Sequence, residues 1–246
     1  MSEKLDILII TNSPDFKKKC SDFIELLISR NYSYDILNPA LVSIEADKKE
    51  NFYGYRVILF HRPVTSEKSF YLKLTDFLKS GGAVFILYTS LGNSGELDIV
   101  FREFCEDFFS SRYQKELLFD YTEFLEYIET IVVKKENINK IDDSEFLQKL
   151  YQYVTKIVLG RPIRVYPKYD PPKTVPIINT NPSTEIENKT TQFDVEQVGT
   201  NAICGFMDYS TKGKMCVITG FVLLNDFFNL FDNRIFINNI LSYLLG

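Results

Sequence analysis

The sequence predicts an α/β protein with a mainly parallel central sheet and helices on both of its faces. Two observations carry that prediction. Short continuous apolar runs, Leu5–Ile10, Arg56–Phe60 and Ala83–Leu87, read as strands covered on both sides. Between them lie capped stretches with apolar residues at helical spacing, joined by short turns, which is the pattern of right-handed βαβ units.

Leu5–Ile10 ends at Thr11-Asn12, and Ser13-Pro14-Asp15 then supplies an N-cap, a proline suited to the first helical position and an early acidic residue. The helix continues through Phe16, Cys20, Phe23, Ile24, Leu27 and Ile28 on one face and closes at Asn31. Tyr32 to Leu37 reads as a second strand. The third, Arg56–Phe60, ends at His61-Arg62-Pro63. Ser66-Glu67 opens a helix whose apolar face is Phe70, Leu74, Phe77 and Leu78, with Lys79 in its last turn and Gly81-Gly82 after it. Ala83–Leu87 is the fourth strand. A polar loop from Tyr88 to Gly95 leads to a helix that places Leu97, Val100, Phe101, Phe104, Cys105 and Phe108 inward.

From Tyr113 to about Gly160 the period is less regular, and the spacing predicts helix or mixed structure with a helix near Ser144–Val158. Residues 161–200 hold six of the nine prolines and read as short strands with a protruding loop. Ala202–Tyr209 and Met215–Thr219, separated by five residues, predict an antiparallel hairpin. Gly220 to Phe231 is a loop or short helix. Asp232 starts a last helix with Ile235, Phe236, Ile240, Leu241, Leu244 and Leu245 toward the sheet. The whole reads as one domain, 1–246, with a less regular insertion at about 113–200.

Composition narrows the function classes. A net charge of −5 offers little to neutralise phosphates, so nucleic acid is an unexpected partner, and Lys17-Lys18-Lys19 reads as a solvated helix face. Apolar runs stay far shorter than the 18 or more residues of a membrane span, and no targeting segment precedes the first strand. Cys20, Cys105, Cys204 and Cys216 are scattered, and three sit among apolar neighbours as buried thiols do. A cytoplasmic location is the expectation.

Three segments together resemble a known family. They are Arg56 to Leu87 with its Gly-Gly turn, Gly199 to Gly220 ending Gly-Lys-Met-Cys-Val-Ile-Thr-Gly, and the closing helix with Asn233-Arg234 and Phe236 through Leu245. They look like the GIFT domain, a class I glutamine-amidotransferase-like domain of intraflagellar-transport and gliding-motility proteins, with relatives in ABC-transporter accessory proteins. The resemblance implies a flavodoxin-like sheet and service as a noncatalytic module that binds a protein partner or joins a larger assembly.

Amidotransferase chemistry needs a cysteine on the sharp turn after the central strand and a histidine to activate it. Here Tyr88 or Thr89 occupies that turn, and Thr219 to Asp226 contains no histidine. The one histidine is His61. A Ser90–His61 hydrolase couple is conceivable at neighbouring strand ends, although G-x-S-x-G is absent. No metal motif or phosphate loop is present, and no cofactor is expected. Ligands of open α/β sheets occupy the crevice beyond the carboxyl ends of the strands. That edge gathers Asn12, Ser13, His61, Arg62, Thr89, Ser90, Asn93 and Thr219, a polar rim with one arginine, where a small molecule such as a sugar or nucleotide is the alternative ligand. The competing reading of these residues is that they only cap helices and turns.

Overall fold

The computed structural model describes residues 5–37, 52–61, 68–88, 118–137, 145–162, 164, 174–187, 195–197, 202–208 and 212–246, and the elements below are numbered within them. Strand β1 (Leu5–Thr11) is followed by helices α1 (Phe16–Lys19) and α2 (Ser21–Ser29), β2 (Tyr34–Leu37), β3 (Tyr55–His61), α3 (Lys68–Lys79) and β4 (Ala83–Tyr88). Then come β5 (Leu118–Asp120), β6 (Phe124–Leu125), β7 (Tyr127–Lys134), α4 (Glu145–Leu150), β8 (Lys156–Gly160), β9 (Thr174–Asn179), β10 (Thr184–Glu187) and β11 (Val195–Gln197). The hairpin strands β12 (Ile203–Asp208) and β13 (Lys214–Thr219) precede α5 (Asn225–Phe228) and α6 (Asn233–Leu245).

The central sheet has seven strands in the order β2-β1-β3-β4-β13-β12-β9. Its first five strands run parallel, and β12 runs antiparallel to both of its neighbours. The three apolar runs that predicted the sheet lie side by side, and the interiors of β3 and β4 are buried on both faces. Register sets which residues share a face. Ile7, Ile9, Val57, Leu59, Phe85 and Leu87 belong to one core cluster, while Leu8, Ile10, Ile58, Phe60, Val84 and Ile86 belong to the other. Helices α1, α2 and α6 cover the first face through Phe16, Phe23, Leu27, Phe236 and Ile240. Helix α3 covers the second through Leu74, Phe77 and Leu78. Gly81, at φ 98°, ends α3 in the left-handed conformation that its lack of a Cβ permits.

Several expectations need correction. The first helix is two pieces, because Cys20 leaves the helical region at φ −124° and ψ 32°. The break lets Phe16 and Phe23 each meet the sheet, and it leaves Ile28 60% exposed while Leu26 is buried. The helix expected over 144–158 stops at Leu150. Tyr153 takes φ 62°, and the chain continues as β8, which pairs antiparallel with β7. Within 113–200 the described residues form two three-stranded sheets, β11-β10-β5 and β6-β7-β8, and contribute β9 to the edge of the central sheet, with short strands over 161–200 as expected. Leu118, Ile131, Val133, Ile157, Leu159 and Ile186 from these small sheets continue the core under α6. In α6 Ile237 is buried, whereas Ile235 stays 37% exposed. The helix expected over 97–108 and the cap at Ser66-Glu67 lie outside the described residues.

Candidate functional site

The strand order places β1 between β2 and β3, so the chain passes from β1 to one neighbour and then to the strand on its other side. This β1/β3 boundary is the topological switch point, the place where doubly wound sheets open a crevice at the carboxyl ends of their strands. Thr11 and His61 are laterally paired there. Their side chains meet at 3.1 Å, Thr11 Oγ1 to His61 Nδ1, and both residues are buried. Thr11 Oγ1 also accepts the Ser13 backbone N–H at 3.1 Å. One hydroxyl therefore ties the turn after β1 to the end of β3. The Phe16 ring, on the first turn of α1, meets the His61 ring edge-on, with centroids 5.0 Å apart and an interplanar angle of 62°.

Of the eight rim residues singled out in the sequence, four are described. Asn12 is exposed and Ser13 half-buried beside the Thr11–His61 pair. Thr219 is not brought to them. His61 aligns with Leu87 of β4, whereas Thr219 aligns with Tyr88, one residue on and so on the other face of the sheet. Thr219 is fully buried, and its hydroxyl donates to the Cys204 carbonyl at 3.1 Å, which ties β13 to β12. Arg62, Thr89, Ser90 and Asn93 lie outside the described residues.

The thiols at Cys20, Cys204 and Cys216 are buried. Burial pushes the Cys204 and Cys216 thiols up, toward the unreactive protonated form. Among the described residues no cluster of histidine, cysteine and carboxylate side chains could hold a metal ion.

Sequence reasoning missed two sites of concentrated chemistry. Phe16 read as generic core, yet its ring packs edge-on against His61. Asp120 lies fully buried at the end of β5 and accepts from the Thr122 and Glu123 N–H groups, at 2.8 and 2.9 Å, and from the Ser183 hydroxyl, at 2.8 Å. Asn181 Nδ2 reaches the same carboxylate at 3.2 Å and the Val132 carbonyl at 2.7 Å. Burial alone pushes the Asp120 carboxyl up, but the hydrogen bonds from Glu123, Thr122, Asn181 and Ser183 together hold it below its ordinary value. A carboxylate closing an apolar stretch, Leu117 to Asp120, was the available signal. With its acceptor positions filled by the chain itself, Asp120 is a structural clamp between β5, β7 and the turn before β10.

The structure is similar to that of a ThuA-like protein from Bacteroides uniformis over 99% of this chain and 93% of that one, at TM-score 0.58 and 11% identity. The likeness is one of fold. It fits the flavodoxin-like arrangement that the sheet order shows. A ThuA-like protein from Parabacteroides merdae aligns at TM-score 0.44 and 10% identity, over 88% of this chain and 79% of that one. A GH42 β-galactosidase from G. stearothermophilus aligns at TM-score 0.48 and 11% identity, and there the chain spans 30% of the enzyme's length. No family model matches the sequence, and no curated protein matches it.

Proposed function

We propose that the chain is a noncatalytic, GIFT-like module that binds a protein partner or contributes to an assembly. The observation that supports this reading is the environment of His61. The chain's one histidine is built into the fold by Thr11 and Phe16, beneath the turn that follows β1. A general base must reach the proton it removes. A ring packed into its own scaffold in this way serves the scaffold first.

Purified protein is expected to release no ammonia from glutamine and to be recovered in a complex of fixed stoichiometry by native pull-down and size-exclusion chromatography. Ammonia release that disappears in His61→Asn would overturn the reading. So would hydrolysis of simple esters lost in both His61→Asn and Ser90→Ala.

A second reading has its own support. The β1/β3 switch point is where doubly wound sheets hold small ligands, and Asn12 is exposed at its rim. On this reading the module senses a small molecule. If that ligand is anionic, Arg62→Ala weakens it by about 1.5–3 kcal/mol, the range for charged hydrogen bonds, with melting unchanged. Equal affinity for wild type, Arg62→Ala and Ser90→Ala places any ligand elsewhere.

A further inference from the structure

We propose that the segment from Asn12 to Cys20 is a hinged lid over the β1/β3 switch point, latched by Thr11, His61 and Phe16. The hinge is Cys20, whose φ of −124° and ψ of 32° interrupt what the sequence reads as one continuous helix. On its far side α2 is stitched to α5. The Asp22 N–H donates to Asn225 Oδ1 at 3.2 Å, Asn225 Nδ2 donates to Ser21 Oγ at 2.9 Å, and Asn229 donates to the Asp22 carboxylate. The Phe23 and Phe228 rings pack edge-on across the same junction, 5.8 Å apart.

On the near side α1 is a single turn of four residues, too short to hold itself as a helix in water. Lys17, Lys18 and Lys19 face solvent, and Phe16 is the residue of α1 that is buried. Its ring rests on His61, which is bonded to Thr11, which in turn accepts from Ser13. A bond from Asn225 to the Lys18 carbonyl, 3.3 Å and exposed to solvent, ties this turn to α5. A one-turn segment whose backbone–backbone bonds, among the described residues, are all local, between a strand of the central sheet and a helix stitched to α5, opens at a fraction of the global unfolding energy. Rotation about Cys20 lifts Phe16 from His61 and uncovers the carboxyl ends of β1 and β3. The lid matters to function through the reading of this crevice as a ligand site, but its motion is testable with no ligand at all.

Hydrogen exchange read by mass spectrometry or NMR on the whole protein decides the matter. The Ser13 amide donates to Thr11 Oγ1 and so reports the latch, while the amides of Phe16, Lys18, Lys19 and Cys20 donate within the single turn and report its melting once it is unlatched. In the wild type they are expected to exchange at least about tenfold faster than the interior amides of α2. Thr11→Val removes the latch oxygen and is expected to speed the lid by about another tenfold, a fold-change suited to the loss of hydrogen bonds, while α2 and β3 keep their rates. Thr11→Ser, which keeps the oxygen, is expected to restore the wild-type rate. Equal wild-type rates in the lid and α2 overturn the proposal, and so does acceleration of both segments together in Thr11→Val. If Thr11→Val does not fold, the wild-type comparison still decides. A ligand that binds at the crevice without changing lid exchange argues against the second functional reading and leaves the hinge standing.

Discussion

Asn233 sits at the start of α6 and is almost wholly buried. Its Oδ1 accepts the Val158 N–H at 2.9 Å, and its Nδ2 donates to the Val158 and Phe227 carbonyls at 2.8 and 3.0 Å. The amide thus joins β8, α5 and α6. Asn233→Ala leaves three backbone groups, two of them buried, without these partners, and the expected loss is about 2–4 kcal/mol in urea unfolding. Asp120 offers a second test, through pH. Its folded carboxyl titrates below the ordinary value, so its contribution is fully present above the unfolded value, about 3.9, and is lost as pH falls through the folded one. Asp120→Asn is therefore expected to cost about 2–3 kcal/mol at neutral pH and to flatten the fall in stability below pH 4, measured by denaturant titration at each pH. Neither role was legible in the sequence. An Asn at a helix start reads as a surface residue, and the donors around Asp120 arrive from as far away as Thr184.

At the scale of elements, legibility followed burial and punctuation. Strands β1, β3 and β4 are apolar on both faces and bounded by turn residues, so their runs announce them. The α3–β4 junction is announced by Gly81-Gly82, and the β12–β13 hairpin by its five-residue polar turn. The stretch 144–158 misled for a specific reason. Leu147, Leu150, Tyr151, Val154, Ile157 and Val158 keep helical spacing across the break, and the chain turns at Tyr153 with no glycine or proline to mark it. Strands of two to four residues such as β6, β10 and β11 are too short to show a period at all. At the switch point the sequence supplied His61 and the turn residues, while the Thr11–His61–Phe16 contact emerged from strand register. A further test belongs here. A Cβ on Gly213 would stand 2.2 Å from the Gly82 carbonyl oxygen and 2.5 Å from that of Leu78. Both obstacles are backbone, so Gly213→Ala must push β13 from the end of α3. It is expected to destabilise the protein by about 2 kcal/mol or more in thermal or urea unfolding.

At the scale of the molecule, one hydrophobic cluster runs from Ile7 and Leu59 in the central sheet through Phe236 and Ile240 of α6 to Ile131, Ile157 and Ile186 of the small sheets. The Tyr151 hydroxyl adds a buried bond to the Ile177 carbonyl, between the turn after α4 and β9. Parts that share a core unfold together. Calorimetry is therefore expected to record a single transition whose calorimetric and van't Hoff enthalpies agree, and two resolved transitions would show that the insertion melts by itself.

The outer strands of the central sheet have a consequence for the protein in a crowded solution. At one end β2 is four residues long, and at the other β9 carries Pro176 where its ladder with β12 shifts register. Proline has no N–H to offer, and sheets admit it at edges, where no further strand needs that donor. A neighbouring molecule laying a strand along β9 would find its hydrogen bonding interrupted at that position. Polymer growth by strand addition is poorly templated at β9, a safeguard for a chain rich in Val, Ile and Phe.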